Sequence, residues 1–366
     1  MPRESGGAAN RTRRGVLLGG GALAGALAGC ISTSPEPPGQ ADAEAGDGDG
    51  GPVPLLKAGG SSTVYPVVNR AASYWSANYP ASDEEYWGPS QYGIRTSRRL
   101  ADYWAGKYGF AAREGDGPPF EVTVSLSHSG TGLEQVEAGQ IDIGNASAPV
   151  SAEFPDRSDE ELAPFTDHVV AVDAQPIVVS REIYEAGVTE LTADQVRGIY
   201  RDEIRNWSEI DGYDGPDEEI QAIGRSVGSG TDTAFRSNML GDPGAEMPGV
   251  DARKGQNQQV KTVVANSGNA IAYMALAFAD ESTPAISLSF ADETFVPGEN
   301  LSDPDYPLSR DLHCYTWEGT SRMEAAFLRM ILSDFGQRVF VEPAGYSVLT
   351  DERRATQLDA LPEPGA

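Results

Sequence analysis

Apolar residues along this chain fall into short runs separated by clusters of Gly, Ser, Thr and Asp. In "LLKAGGSSTVYPVVNRAASYW" an apolar run from Leu55 breaks at a small-residue loop and resumes at helical spacing from about Val67. "FEVTVSLSHSGTGLEQV" alternates apolar and polar positions, as a half-buried strand does, then enters a helix through a second such loop. "QIDIGNASAPV" reads as a short strand and turn, and "DHVVAVDAQPIVVS" as one long buried strand or a pair. "LTADQVRGIYRDEIRNWSEI" puts Thr192 as N-cap ahead of Val196, Ile199 and Tyr200, so a helix is predicted there. "EIQAIGR" predicts a strand, "VKTVVANSGNAIAYMALAFAD" a helix, turn and apolar strand, and "YPLSRDLHCYTW" a strand. "SRMEAAFLRMILSDFGQRVFVEPAG" predicts one amphipathic helix whose apolar face is core. Residues 81–99, "ASDEEYWGPSQYGIRTSRR", break both periods and read as an insertion. Strands alternating with helices predict an α/β fold with a parallel sheet.

The first thirty residues stand outside this pattern. "NRTRRGVLLGGGALAGALAGC" pairs Arg13 with Arg14 ahead of a Gly/Ala-rich apolar run, too short for a membrane span, that ends at Cys30. The arginine pair points to twin-arginine export. "LAGC" resembles a lipobox, so Cys30 is the expected lipidation site and the anchor to the outer face of the cytoplasmic membrane. Residues 31–54 are rich in Pro, Gly, Asp and Glu, and are expected to form a solvated acidic tether. The one other cysteine, Cys314, has no partner for an internal disulfide and is read as a buried strand residue. His128, His168 and His313 show no metal-ligand spacing, so no metal is expected.

The chain's net charge is −28, and it has only four lysines, at positions 57, 107, 254 and 261. A strongly acidic, lysine-poor surface fits a protein that stays soluble in very high salt, where self-repulsion is screened. It argues against nucleic acid as a partner.

Candidate chemistry lies in three loops of one kind, "GGSSTVYP", "SHSGTGLE" and "GSGTDTAF". Each sets small and hydroxyl residues before a predicted helix, whose first N–H groups and dipole favour an anion. The third follows Arg225, whose planar guanidinium suits a tetrahedral oxyanion. A Gly/Ser/Thr cluster is also an ordinary turn with an N-cap, so it is the convergence of several that carries the anion reading. No nucleophile–base pair or clustered carboxylates support an enzyme.

In family order, "GSSTVYP", "SGTGLEQVEAGQIDIGNAS", "LTADQVRGIYRDEIRNWSEI", "RSVGSGTDTAF", "NAIAYMALAFA" and "YPLSRDLHCY" resemble the phosphate-binding proteins of phosphate ABC transporters over most of residues 57–350. The resemblance implies a two-lobed type II periplasmic-binding-protein fold, with a ligand cleft between lobes joined by crossing strands. It implies one lobe from residues 55–175 with 284–350, a second from 176–283, and a C-terminal tail at 351–366. The crossings are expected near 173–180 and 280–287. It further implies a monomer without cofactor or catalysis, which binds inorganic phosphate outside the cell and delivers it to ABC permease subunits.

Carried over by position, the phosphate ligands are Thr63, Val64 and Tyr65 from the first loop, Ser129 from the second, and Arg225, Ser229, Gly230 and Thr231 from the third. Ser147 stands where the family has a carboxylate that accepts the ligand's proton, and Val227 where some members have a second acid. Asp142 is read as structural. Those departures leave phosphate-over-sulfate selectivity without an evident group, since a serine can donate to sulfate as well. The alternatives are another tetrahedral oxyanion (sulfate, tungstate or molybdate) or a non-catalytic surface sensor of the same fold.

Overall fold

The computed structural model describes residues 52–365 other than 292, 302 and 304. The export segment expected at 1–30, with Cys30, and all but the last three residues of the expected tether lie outside the described residues. Among the described residues, the strands are β1 (Leu55–Ser61), β2 (Glu121–Ser127), β3 (Ile143–Ala146), β4 (Phe165–Ala174), β5 (Ile177–Val179), β6 (Glu190–Thr192), β7 (Gln221–Arg225), β8 (Ala252–Lys254), β9 (Ala270–Tyr273), β10 (Ser287–Phe290), β11 (Glu293–Phe295) and β12 (Ser309–Trp317).

The first lobe is built on a sheet of order β2-β1-β3-β12-β4. β1 runs parallel to β2 and β3, as the alternation of strands and helices predicts. β12 is antiparallel to both its neighbours, so the sheet is mixed rather than parallel. That strand returns from the second lobe and enters between β3 and β4 from the opposite end. Helix Tyr65–Ala77 covers the sheet with Val67, Val68, Ala71 and Trp75, all buried at helical spacing. Helix Arg322–Leu332 adds Phe327, Leu328 and Ile331 to the same core.

The amphipathic helix expected across 321–345 is interrupted at Ser333. Its hydroxyl accepts from the Gly336 N–H at 3.1 Å and caps a new turn. Residues 81–99 pack onto this lobe as an aromatic cap. Trp87 is fully buried, donates from Nε1 to the Arg98 carbonyl at 3.0 Å, and meets Phe335 edge-on. Residues 351–359 form a helix capped by Thr350 rather than a loose tail, and Leu358 and Leu361 join the core.

The second lobe holds a sheet of order β5-β9-β7-β8 and a small sheet of order β11-β10-β6. The latter corrects the expected lobe boundary at 284. β10 pairs with β6, and Ile286, Leu288, Phe295 and Tyr306 share a core with Ile199, Trp207 and Phe235. Residues 284–308 therefore stay with the second lobe. The return crossing lies at 306–309, not near 280–287. The outward crossing does fall in the expected stretch, where Gln175 and Pro176 separate β4 from β5. The two crossings lie side by side: the Gln175 N–H donates to the Leu308 carbonyl at 3.1 Å, and the Tyr306 hydroxyl to the Gln175 carbonyl at 3.0 Å.

Candidate functional site

The three loops converge between the lobes. The first leaves β1 and enters helix Tyr65–Ala77, the second leaves β2 for helix Ser129–Glu137, and the third leaves β7 for helix Gly230–Phe235. Thr63 Oγ1 lies 3.1 Å from Thr231 Oγ1, joining the first loop to the third. Ser129 Oγ accepts from the Gly230 N–H at 3.1 Å and from the Ser147 N–H at 3.2 Å, joining the second to the third. Ser61 donates to Ser147 Oγ at 3.0 Å. Thr63, Ser129, Ser147, Ser229 and Thr231 are all buried. These contacts hold the cleft closed around a patch of hydroxyls, each able to donate or accept.

Gly230 sits at the centre. A β-carbon there would lie 2.4 Å from Ser129 Oγ and 2.7 Å from Ser147 Oγ, so the close approach of the lobes requires glycine. Ser229 is the residue before that helix and its side chain makes no cap bond, so its hydroxyl is not spent on the helix end. Val64 is buried core beneath the first loop, and Tyr65 begins the helix half-buried.

Arg225 is the electrostatic feature of the cleft. Its side chain is buried, and it donates from Nη1 to Asn257 Oδ1 at 2.7 Å and from Nη2 to Ser62 Oγ at 3.2 Å and the Gly255 carbonyl at 2.8 Å. Its Nε donates to the Lys254 carbonyl at 3.1 Å. All of these acceptors are neutral. Burial, and then the Arg310 charge, pull its pKa down to about 10. A buried cation without a carboxylate partner is costly unless an anion joins it.

Two neighbours were not read from the sequence as site residues. Asn257 donates to Ser62 Oγ at 3.2 Å and Thr63 Oγ1 at 3.1 Å while it holds Arg225, so it ties the first loop to the cation. Arg310, in the "YPLSR" motif, pairs with Asp173 at 2.7 Å and reaches Thr63 Oγ1 and the Gly230 carbonyl, both at 3.3 Å. The motif served only for the resemblance, although its arginine was a visible cation. Asp142 accepts from the Lys57 N–H at 2.7 Å and so steadies β1, away from the cleft. Val227 is 79% exposed, unlike the buried hydroxyls. Cys314 is buried in β12 as expected. His313 and His168 bond Asp167 and Thr320.

A further carboxyl comes from the turn after Ser147. Glu153 ends the short helix Val150–Glu153, and its two carboxyl oxygens are buried. Oε1 is 2.8 Å from the position a Gly230 β-carbon would take. Burial raises this carboxyl to about 8, with Thr233 and Arg310 pulling it back and Asp232 pushing it further up.

The comparisons agree with this architecture. Residues 106–334, more than half of the chain, match the PBP superfamily domain. The phosphate-binding protein PstS of Bacillus subtilis is 30% identical over 237 residues, covering 64% of this chain and 74% of its own. An ABC transporter substrate-binding protein from Clostridium perfringens, solved with bound phosphate, superposes with a TM-score of 0.59 at 21% identity, over 81% of this chain and all of that one. An ABC-type phosphate transport receptor from Vibrio cholerae superposes with a TM-score of 0.53 at 20% identity, over 80% of this chain and all of that one. At such identities the structural likeness speaks for the two-lobed fold, and the sequence match carries the kinship: the chain belongs to the PBP superfamily and, within it, to the PstS phosphate-binding proteins.

Proposed function

We propose that this protein binds inorganic phosphate between its lobes, on the outer side of the cell membrane, and passes it to the permease of an ABC importer. The single observation that carries the reading is Arg225, a buried guanidinium at the lobe junction whose bonding partners are all neutral. An anion taken out of water needs its solvation replaced by fixed donors, and charge-assisted bonds are the strongest of these. The hydroxyls of Thr63, Ser129, Ser147, Ser229 and Thr231 and the Gly230 N–H provide the neutral remainder. Hydroxyls now paired with one another can turn to an anion without any being left unsatisfied.

The relatives are binding proteins of a transport family, and this chain is a carrier rather than an enzyme. Its acidic composition suits work in concentrated salt, where the local donors of the cleft, and not the overall field, attract the ligand. Calorimetric titration of the purified full chain in molar salt should show one phosphate per chain, with sulfate and molybdate much weaker. Equal or tighter binding of either competitor would make phosphate the wrong ligand.

A further inference from the structure

Asn257 opens helix Asn257–Ala265, which packs Val260 and Val264 into the second lobe, and its side chain is wholly buried where the lobes meet. A primary amide has two hydrogens to give and two lone pairs to fill, and here all four are used. Oδ1 accepts from Arg225 Nη1 at 2.7 Å and from the Ala275 N–H at 3.2 Å. Nδ2 donates to Ser62 Oγ at 3.2 Å and to Thr63 Oγ1 at 3.1 Å, both on the first loop. The partners fix which way the amide faces. A guanidinium and a backbone N–H only donate, so the oxygen must meet them and the NH2 must meet the hydroxyls.

The hydroxyls are thereby given a direction. Ser62 Oγ accepts from Asn257 and also from Arg225 Nη2 at 3.2 Å. Thr63 Oγ1 accepts from Asn257 and also from Arg310 Nη2 at 3.3 Å. Each oxygen has both lone pairs occupied, so what it has left to offer is its hydrogen. Thr63 is therefore the donor in its 3.1 Å contact with Thr231 Oγ1. Ser62 is 2% exposed, and its own hydrogen meets no acceptor among the described residues.

We propose that Asn257 is the positioning residue that makes the cleft a donor: it commits Ser62 and Thr63 to give their hydrogens to the anion, and it holds Arg225 without neutralising it. The inference rests on the phosphate reading above and deepens it, adding Ser62 to the residues that bind the ligand. A hydroxyl free to turn presents a lone pair to a negative ligand part of the time, which repels it. Two incoming donors remove that choice at Ser62 and at Thr63. The amide oxygen meanwhile steadies the guanidinium but carries no charge of its own, so the cation stays available. A carboxylate at this position would fill the same space and undo both effects. It would pair with Arg225, and it would draw the Ser62 and Thr63 hydrogens to itself, away from the ligand.

The test is Asn257→Asp in the full chain, a change that keeps the shape of the side chain. Calorimetric titration with phosphate should show binding weaker by roughly hundredfold or more, since a charged donor and two hydroxyl donors are withdrawn together. Without phosphate, the melting temperature should equal or exceed the parent's, because the buried guanidinium gains a carboxylate. Affinity that falls while stability holds is what positioning produces. Parent-like affinity, or affinity and melting temperature falling together as for a merely structural residue, would overturn the assignment. A parent that takes up no phosphate overturns the phosphate reading itself, a separate result. Should Asn257→Asp not fold, Ser62→Ala decides. Phosphate binding should then weaken roughly three- to tenfold, the size of one lost hydroxyl donor, and unchanged affinity overturns the assignment.

Discussion

The two buried arginines of the cleft have opposite charge balances. Arg310 is matched by Asp173, which also accepts from the Leu276 N–H at 3.0 Å, so that pair belongs to the junction between the lobes. Arg225 meets only carbonyl, amide and hydroxyl oxygens. Its backbone is fixed too: the N–H donates to the Tyr273 hydroxyl at 3.1 Å, and that hydroxyl donates to Asp232. The guanidinium is thus preorganised, as the proposed anion site requires. Losing a bond to a charged group costs about 1.5–3 kcal/mol, so Arg225→Ala should weaken phosphate binding roughly ten- to hundred-fold. Isothermal titration of the folded variant checks this, and parent-like affinity would place the anion site elsewhere.

At the scale of elements, the helices are started by local caps. Thr192 accepts from the Gln195 N–H at 3.1 Å, and Gln195 Oε1 accepts from the Thr192 N–H at 2.8 Å, a reciprocal box that opens helix Ala193–Tyr200. Ser321 and Glu324 do the same for helix Arg322–Leu332. The Thr192 helix buries Val196, Ile199 and Tyr200 against the second-lobe core, so its start fixes how that core is filled. Thr192→Ala should cost about 1 kcal/mol. Denaturant unfolding should show an earlier midpoint with an unchanged slope, and a parent-like midpoint would mean the cap contributes nothing. Thr192 is exposed and its side-chain bonds go to Gln195 rather than to the three loops, so phosphate affinity is expected to stay as in the parent.

At the scale of the whole molecule, two short crossings side by side, 174–177 and 306–309, join two cores of similar make. Further links between the lobes run through the cleft, among them Thr63 to Thr231, Ser129 to Gly230, Asn257 to Ser62, and Gln175 Nε2 to the Thr231 carbonyl at 2.7 Å, and others beside it, such as the Leu276 N–H to Asp173. The described conformation is the closed one. Side-chain hydroxyl pairs contribute little net, about 0.5–1.5 kcal/mol each, so an open form is within reach and a ligand that bridges the lobes favours closure. Small-angle scattering should show a larger radius of gyration without phosphate than at saturation. Identical profiles would mean that the lobes do not move.

What the sequence determined by itself was whatever acts within a few residues: the Thr192 cap, the alternation in β2, and the three Ser/Gly/Thr loops with Arg225 ahead of the third. Such signals survive in a linear reading because their partners are at most four positions away. Tertiary structure alone decided the rest. β10 and β11 are too short to announce themselves, and they went to the second lobe because β6 offers an edge and Trp207 a core for Leu288 and Phe295 to fill. β12 runs against the parallel order because the chain must come back from the other lobe. Asn257 carries no local mark of function, and Arg310 shows only a cation in a motif whose partners lie far along the chain. A polar side chain becomes a site residue when segments scores of positions apart bury it together. Whether a buried charge then finds a carboxylate partner, as Arg310 does and Arg225 does not, depends on that packing.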